Sequence, residues 1–180
     1  MKHSQDLQKF DTKLFAQQNQ QLQLQTPVTD FPRLVEAADS WPISAQSVVY
    51  WQLNGFVKKT TVDQEQIWLE LKASVHIPLT CQKCLEACDN LLSVDRQFRF
   101  VKDEATALRD DDDCEEDLLV FDRLFNISEL LEDELLMEIP LIPVHETCPK
   151  PLVPLTDDQA MEPEPSPFAV LAQLKDKFKP

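Results

Sequence analysis

Ile67, Leu69, Leu71, Ala73, Val75 and Ile77 place an apolar side chain at every second position of QIWLELKASVHIPL (66–79). Strand side chains alternate between faces, so this row commits the segment to a sheet with one buried face. SVVYWQLNGFV (47–57) is β-branched and aromatic in the same way, and KKTTVDQEQ between the two is a polar connection short enough to join antiparallel neighbours. Residues 91–101 offer a third strand with Phe98 and Phe100 on one face, and DLLVFD (117–122) a fourth.

Helical spacing appears around this sheet. Residues 11–24 are rich in Gln and Leu without Pro or Gly, which suits a helix, although the period-two LQLQ at 22–25 also fits the start of a strand; Pro27 ends either. A short helix is expected over Thr29–Ala38, capped by Thr29 or Asp30. Ser128 is expected to open another, SELLEDELLMEI, whose Leu130, Leu131, Leu135, Leu136 and Ile139 share one side, with most of the acids on an opposite, solvated face until Pro140 stops it. The expected fold class is α+β: an antiparallel β-sheet core with flanking helices over residues 1–148. A proline-rich linker (149–166) and a terminal amphipathic helix (167–180) follow, the helix opened by Ser166 and Pro167 and striped by Phe168, Leu171, Leu174 and Phe178.

Composition then narrows the function. The 180 residues are 43% hydrophobic, enough for one core of ordinary size, and contain a single glycine, Gly55. Phosphate-cradling loops and nucleophile elbows need several glycines where backbone approaches a ligand, so Walker, Rossmann and GxSxG chemistries are excluded. Nothing else in the chain carries the local signature of an enzyme or a small-molecule site. His76 points away from the buried row and is read as a surface histidine. Net charge is −15, and residues 101–140 hold 15 of the 32 acids but only 3 of the 17 bases. Such a molecule repels nucleic-acid backbones and attracts basic proteins.

No apolar run is long enough to span a bilayer, and MKHSQDLQKFDTK lacks the apolar centre of a signal peptide, so a cytoplasmic, membrane-free protein is expected. Five cysteines in such a chain favour reduced thiols or metal ligands over disulfides.

Cys81 and Cys84 form a C-x-x-C, half of a zinc site, and His145 with Cys148 forms an H-x-x-C that could complete Cys3His, with Cys88 a spare ligand and Cys114 a bystander. Alternatively, Cys81 and Cys84 simply build a turn between strands. A thioredoxin-like role fits poorly, because that motif opens a helix in a βαβ unit. The run RDDDDCEED (109–117) reads as a solvated, mobile loop or as a docking surface for a basic protein through Asp110, Asp111, Asp112, Asp113, Glu115 and Glu116. Arg96 and Arg99 beside Phe98 and Phe100 resemble a base-stacking platform, although core packing explains the phenylalanines more simply.

Taken together, TCQKCLEAC (80–88), DLLVFDRLFNISELLEDELLMEIPLIPVHETC (117–148) and SPFAVLAQLK (166–175) resemble the bacterial large ribosomal RNA subunit accumulation protein family, YceD. The resemblance implies a small non-enzymatic factor supporting synthesis, processing or stability of large-subunit ribosomal RNA. Combined with the acidity, it points to a pre-ribosomal particle or large-subunit RNA reached through a basic ribosomal protein. Direct RNA binding and a structural zinc protein of another role are the alternatives. The terminal helix either packs back on the domain or docks a partner through Phe168, Leu171, Leu174 and Phe178.

Overall fold

The computed structural model describes residues 7–38, 41–44, 46–59 and 65–149. The elements run α1 (Thr12–Gln17), β1 (Gln21–Pro27), a 3-10 turn (Val28–Asp30), α2 (Pro32–Ala37), β2 (Val48–Lys59), β3 (Glu65–Thr80) and β4 (Ala87–Val101). Then come α3 (Glu104–Asp110), a second 3-10 turn (Asp111–Asp113), β5 (Asp117–Val120) and α4 (Ile127–Met137). The strands form one sheet in the order β1-β2-β3-β4-β5, an α+β architecture that is antiparallel except for its last pair. The expected linker and terminal helix lie outside the described residues.

The alternating row sits where its period puts it. Leu69, Leu71, Ala73, Val75 and Ile77 are all buried, and their cross-strand partners Leu53, Trp51, Phe98, Val94 and Leu92 share the same inner face. Phe15, Phe31, Leu34, Ile127, Leu131 and Leu135 cover that face from α1, α2 and α4 and their caps. The opposite face carries Gln52, Asn54, Glu70, Lys72 and His76. His76 is exposed there, with Nδ1 2.7 Å from an Asp89 carboxylate oxygen.

One open alternative is decided and three expectations need correction. The LQLQ segment is a strand paired with β2, so the first helix ends at Gln17. The second helix is not capped by Thr29 or Asp30, which lie in a 3-10 turn; Phe31 precedes it and supplies no side-chain cap. The later helix opens one residue before Ser128, where the Asn126 side chain accepts from the Glu129 amide. Its acids are not all on a wet face, since Glu132 and Glu134 are each only 6% exposed. Glu132 accepts from the amides of Arg33 (2.7 Å) and Leu34 (3.3 Å), which gives α2 its cap from a distant part of the chain. Burial pushes the Glu134 carboxyl up, against the pull of Arg96 beside it.

Gly55 serves packing rather than phosphate binding. A Cβ there would lie 2.4 Å from Phe15 Cδ1 and 2.9 Å from the Ala16 Cα, so only glycine lets α1 approach β2 so closely. Gly55→Ala is therefore expected to destabilise the protein by about 1–3 kcal/mol, because the helix must shift outward against a filled core. Urea unfolding checks it, and a loss below about 0.5 kcal/mol would mean that α1 yields freely.

Candidate metal centre and the acidic edge

β3 and β4 form a long hairpin whose last paired residues are Thr80 and Ala87. Cys81 to Glu86 turn the corner, closed by hydrogen bonds from the Leu85 amide to the Cys81 carbonyl (2.9 Å) and from the Cys81 amide to the Glu86 carbonyl (3.0 Å). Leu85 takes φ 59°, a left-handed conformation that costs a branched side chain about 1–2 kcal/mol, and is 70% exposed. The chain leaving α4 reaches this corner, where the Gln82 amide donates to the Pro143 carbonyl at 2.9 Å. That backbone bond docks the H-x-x-C segment on the C-x-x-C corner.

The ligand-type atoms of Cys81, Cys84, His145 and Cys148 consequently lie within 4.8 Å of one another. Cys81 Sγ is 4.0 Å from Cys148 Sγ, and Cys84 Sγ is 3.4 Å from His145 Nδ1. A zinc tetrahedron with Zn–S bonds of about 2.3 Å and Zn–N bonds of about 2.0 Å has edges of about 3.5–3.8 Å, so the four atoms are arranged at nearly that size. His145 Nε2 lies 2.9 Å from the Ala87 carbonyl oxygen, which can only accept. The ring therefore donates through Nε2 and turns Nδ1 toward the cluster, the orientation that ligating histidines take from such a partner.

Electrostatics divide the thiols. Burial pushes the Cys81 thiol up, but the backbone of His145, Cys84 and Lys83 hydrogen-bonds to its sulfur and the net result is a value of about 5. Burial, together with Cys84 and Cys81 alongside, pushes Cys148 up to about 11. The cluster thus holds a ready thiolate at its buried corner and a proton at its rim, a donor set able to take a soft divalent cation in exchange for protons.

Cys88 does not join the four. It is buried on β4 opposite Leu79, where burial and the nearby Cys81 raise its thiol. Cys114 lies apart in the acidic turn, its Sγ 3.4 Å from the Glu116 carbonyl. The C-x-x-C and H-x-x-C spacings were visible in the sequence. The Ala87 and Pro143 carbonyls, which orient and dock the second half, were not, because backbone atoms leave no residue-type signal.

The acidic run differs from a mobile loop. α3 begins directly after β4, capped by the Asp103 side chain on the Thr106 amide (2.8 Å), and serves as the crossover that lets β5 run parallel to β4. Arg99 ties both ends of the run, with Nε 2.6 Å from Glu116 and Nη1 3.7 Å from Asp110. Asp111, Asp112, Asp113 and Glu115 stay exposed at this edge of the sheet. The basic stacking platform is not present: Phe98 and Phe100 are core residues, Arg99 is only 11% exposed in its ion pairs, and Arg96 is engaged by Glu134 and Glu138. Phe168, Leu171, Leu174 and Phe178 lie outside the described residues.

Fold and site together define an α+β protein with a Cys3His cluster at one hairpin tip and a dense acidic edge, and no helix among the described residues is long and apolar enough to cross a membrane. The chain belongs to the YceD family, large ribosomal RNA subunit accumulation protein, whose model matches residues 69–175. Neither a curated protein nor a solved structure matches it. Membership implies a role in accumulation of the large ribosomal RNA subunit.

Proposed function

We propose that the protein is a non-enzymatic accessory factor in large-subunit ribosome biogenesis that engages a basic ribosomal protein, free or on a pre-ribosomal particle, through the exposed acids Asp111, Asp112, Asp113 and Glu115. The observation that carries this reading is their placement: Arg99 and Arg109 pair with Glu116 and Asp110 within the edge and leave the other four outward on a folded edge. A fixed negative surface attracts lysine- and arginine-rich segments and repels RNA phosphates. The terminal segment, which spaces Phe168, Leu171, Leu174 and Phe178 at helical intervals in sequence and carries Lys175, Lys177 and Lys179, serves in this reading as a second point of attachment to the particle.

In this reading Cys81, Cys84, His145 and Cys148 hold a structural zinc ion. The ion would supply a cross-link between the hairpin tip and the segment after α4. Cys81 contributes its ready thiolate, while the Ala87 carbonyl holds the His145 ring with Nδ1 inward.

Gel shifts at physiological salt against large-subunit RNA, with and without basic ribosomal proteins, test the partner. The expected result is no shift of bare RNA and a shift when basic proteins are present. Neutralising the edge with Asp111→Asn, Asp112→Asn, Asp113→Asn and Glu115→Gln together is expected to weaken association by about tenfold or more at low salt and far less at high salt. Tight binding of bare RNA by the wild type would move the assignment to direct RNA recognition.

A further inference from the structure

β1, at the other end of the sheet, lies outside residues 69–175 and is not explained by the ribosomal reading. Its backbone phase follows from the bonds at its two ends. The Gly55 amide donates to the Gln20 carbonyl and the Val28 amide to the Ser47 carbonyl, both on the register that pairs Leu22 with Leu53 and Leu24 with Trp51. In an antiparallel ladder, alternate residues turn their backbone groups toward the partner. Leu22, Leu24 and Thr26 thus face β2, and the amides and carbonyls of Gln21, Gln23 and Gln25 point outward from the sheet.

Natural edges are usually guarded by lysines, bulges or an early proline. From Leu14 to Thr29 no residue carries a charge, and the one proline, Pro27, comes at the strand's end. We propose that this edge is a dimerisation surface, on which β1 of a second copy adds antiparallel about a two-fold axis through Gln23 and makes one continuous sheet. The strand fits its own copy. With Gln23 opposite Gln23, the outward groups of Gln21 meet those of Gln25, and Leu22 stands beside the copy's Leu24 on the inner face. Leu24, 40% exposed in the single chain, gains a covering neighbour. Pro27, which has no amide to offer, falls beyond the pairing.

Charge is compatible with a copy at this place. A molecule of net charge −15 resists self-association, yet the uncharged residues of β1 and of β2 from Val48 to Val57 form one neutral end of the sheet. The acidic turn lies at the opposite end, four strand spacings or about 19 Å away, beyond the screening length of about 8 Å at physiological salt. Pairing through β1 therefore keeps the two acidic edges at the far ends of the doubled sheet, free for the basic partner.

Sedimentation velocity of the full chain across a concentration series tests this. The wild type is expected to populate a dimer at tens of micromolar and to dimerise more tightly at 0.5 M than at 0.05 M salt, because added ions screen the residual repulsion as the Debye length falls from about 14 Å to about 4 Å. Gln23→Pro deletes an outward amide while sparing the inward ladder, and Gln23→Lys sets like charges on the axis; each is expected to weaken the dimer by about tenfold or more. Circular dichroism and melting of both variants, read at concentrations where the wild type is monomeric, should match wild type. A wild type that stays monomeric at about 100 μM, or a dimer that survives both substitutions, would overturn the proposal.

Discussion

Protein purified without chelators is expected to carry about one zinc per chain, and stripping the metal is expected to lower the melting temperature by about 10 °C. The size of the effect follows from what the cluster joins. Cys81 and Cys148 are distant in sequence, and in the described structure their segments are docked by the Gln82–Pro143 backbone bond and the His145–Ala87 bond. Without metal, the cluster is held by hydrogen bonds alone, among them the Cys148 thiol against the Cys81 thiolate, each weaker than a metal–ligand bond. Cys148→Ser should abolish stoichiometric zinc and reproduce the stripped melting temperature, whereas Cys114→Ala, in the acidic turn, should change neither. The pH dependence has a definite sign. Cys148 must lose its proton to bind, and its value lies above neutrality, so apparent zinc affinity is expected to rise by at least about tenfold per pH unit around pH 7 and to fall further once the pH drops below the Cys81 value of about 5. Metal content below about a tenth of an equivalent, with a melting temperature indifferent to chelator, would remove the zinc assignment.

Glu132→Ala is expected to cost about 3 kcal/mol, more than most surface carboxylates contribute in total. One oxygen of Glu132 accepts from the Arg33 and Leu34 amides, and the other lies 3.0 Å from Arg33 Nε. Removing it leaves two amides of the first turn of α2 without their acceptor beside the fully buried Leu34, and opens a gap between α2 and α4. Glu132→Gln keeps an oxygen for the amides but loses the charge, so about half the loss should remain. Arg33→Ala should matter less, since its side chain is 46% exposed and solvent replaces much of what the ion pair supplies. Guanidinium unfolding with an unchanged slope would measure all three, and a Glu132→Ala loss below about 0.5 kcal/mol would show that α2 needs no remote cap.

Some of this architecture is legible one segment at a time. The row from Ile67 to Ile77 identifies β3 and its buried face because side-chain alternation is a property of the strand itself, needing no knowledge of neighbours. The leucines of α4 mark its core-facing side for the same reason at helical period, and the paired spacings of Cys81 with Cys84 and His145 with Cys148 each describe a local half-site.

Other features were set by what meets what in space. LQLQ is short and ambiguous, and pairing with β2 made it a strand. Glu132 reads as one more acid of a wet helix face until α2 arrives with two amides to satisfy. RDDDDCEED reads as a loop because its charges repel one another, but Arg99 from the neighbouring strand offsets the two acids at its ends and lets a parallel β5 follow. Gly55 reads as one residue of an ordinary strand until the Phe15 ring lies against it. Closure of the two half-sites likewise depended on the path from α4 to the hairpin tip. Period and spacing are carried by neighbours along the chain, whereas capping, ion pairing and ligand convergence depend on distances between remote residues, which only the folded backbone sets.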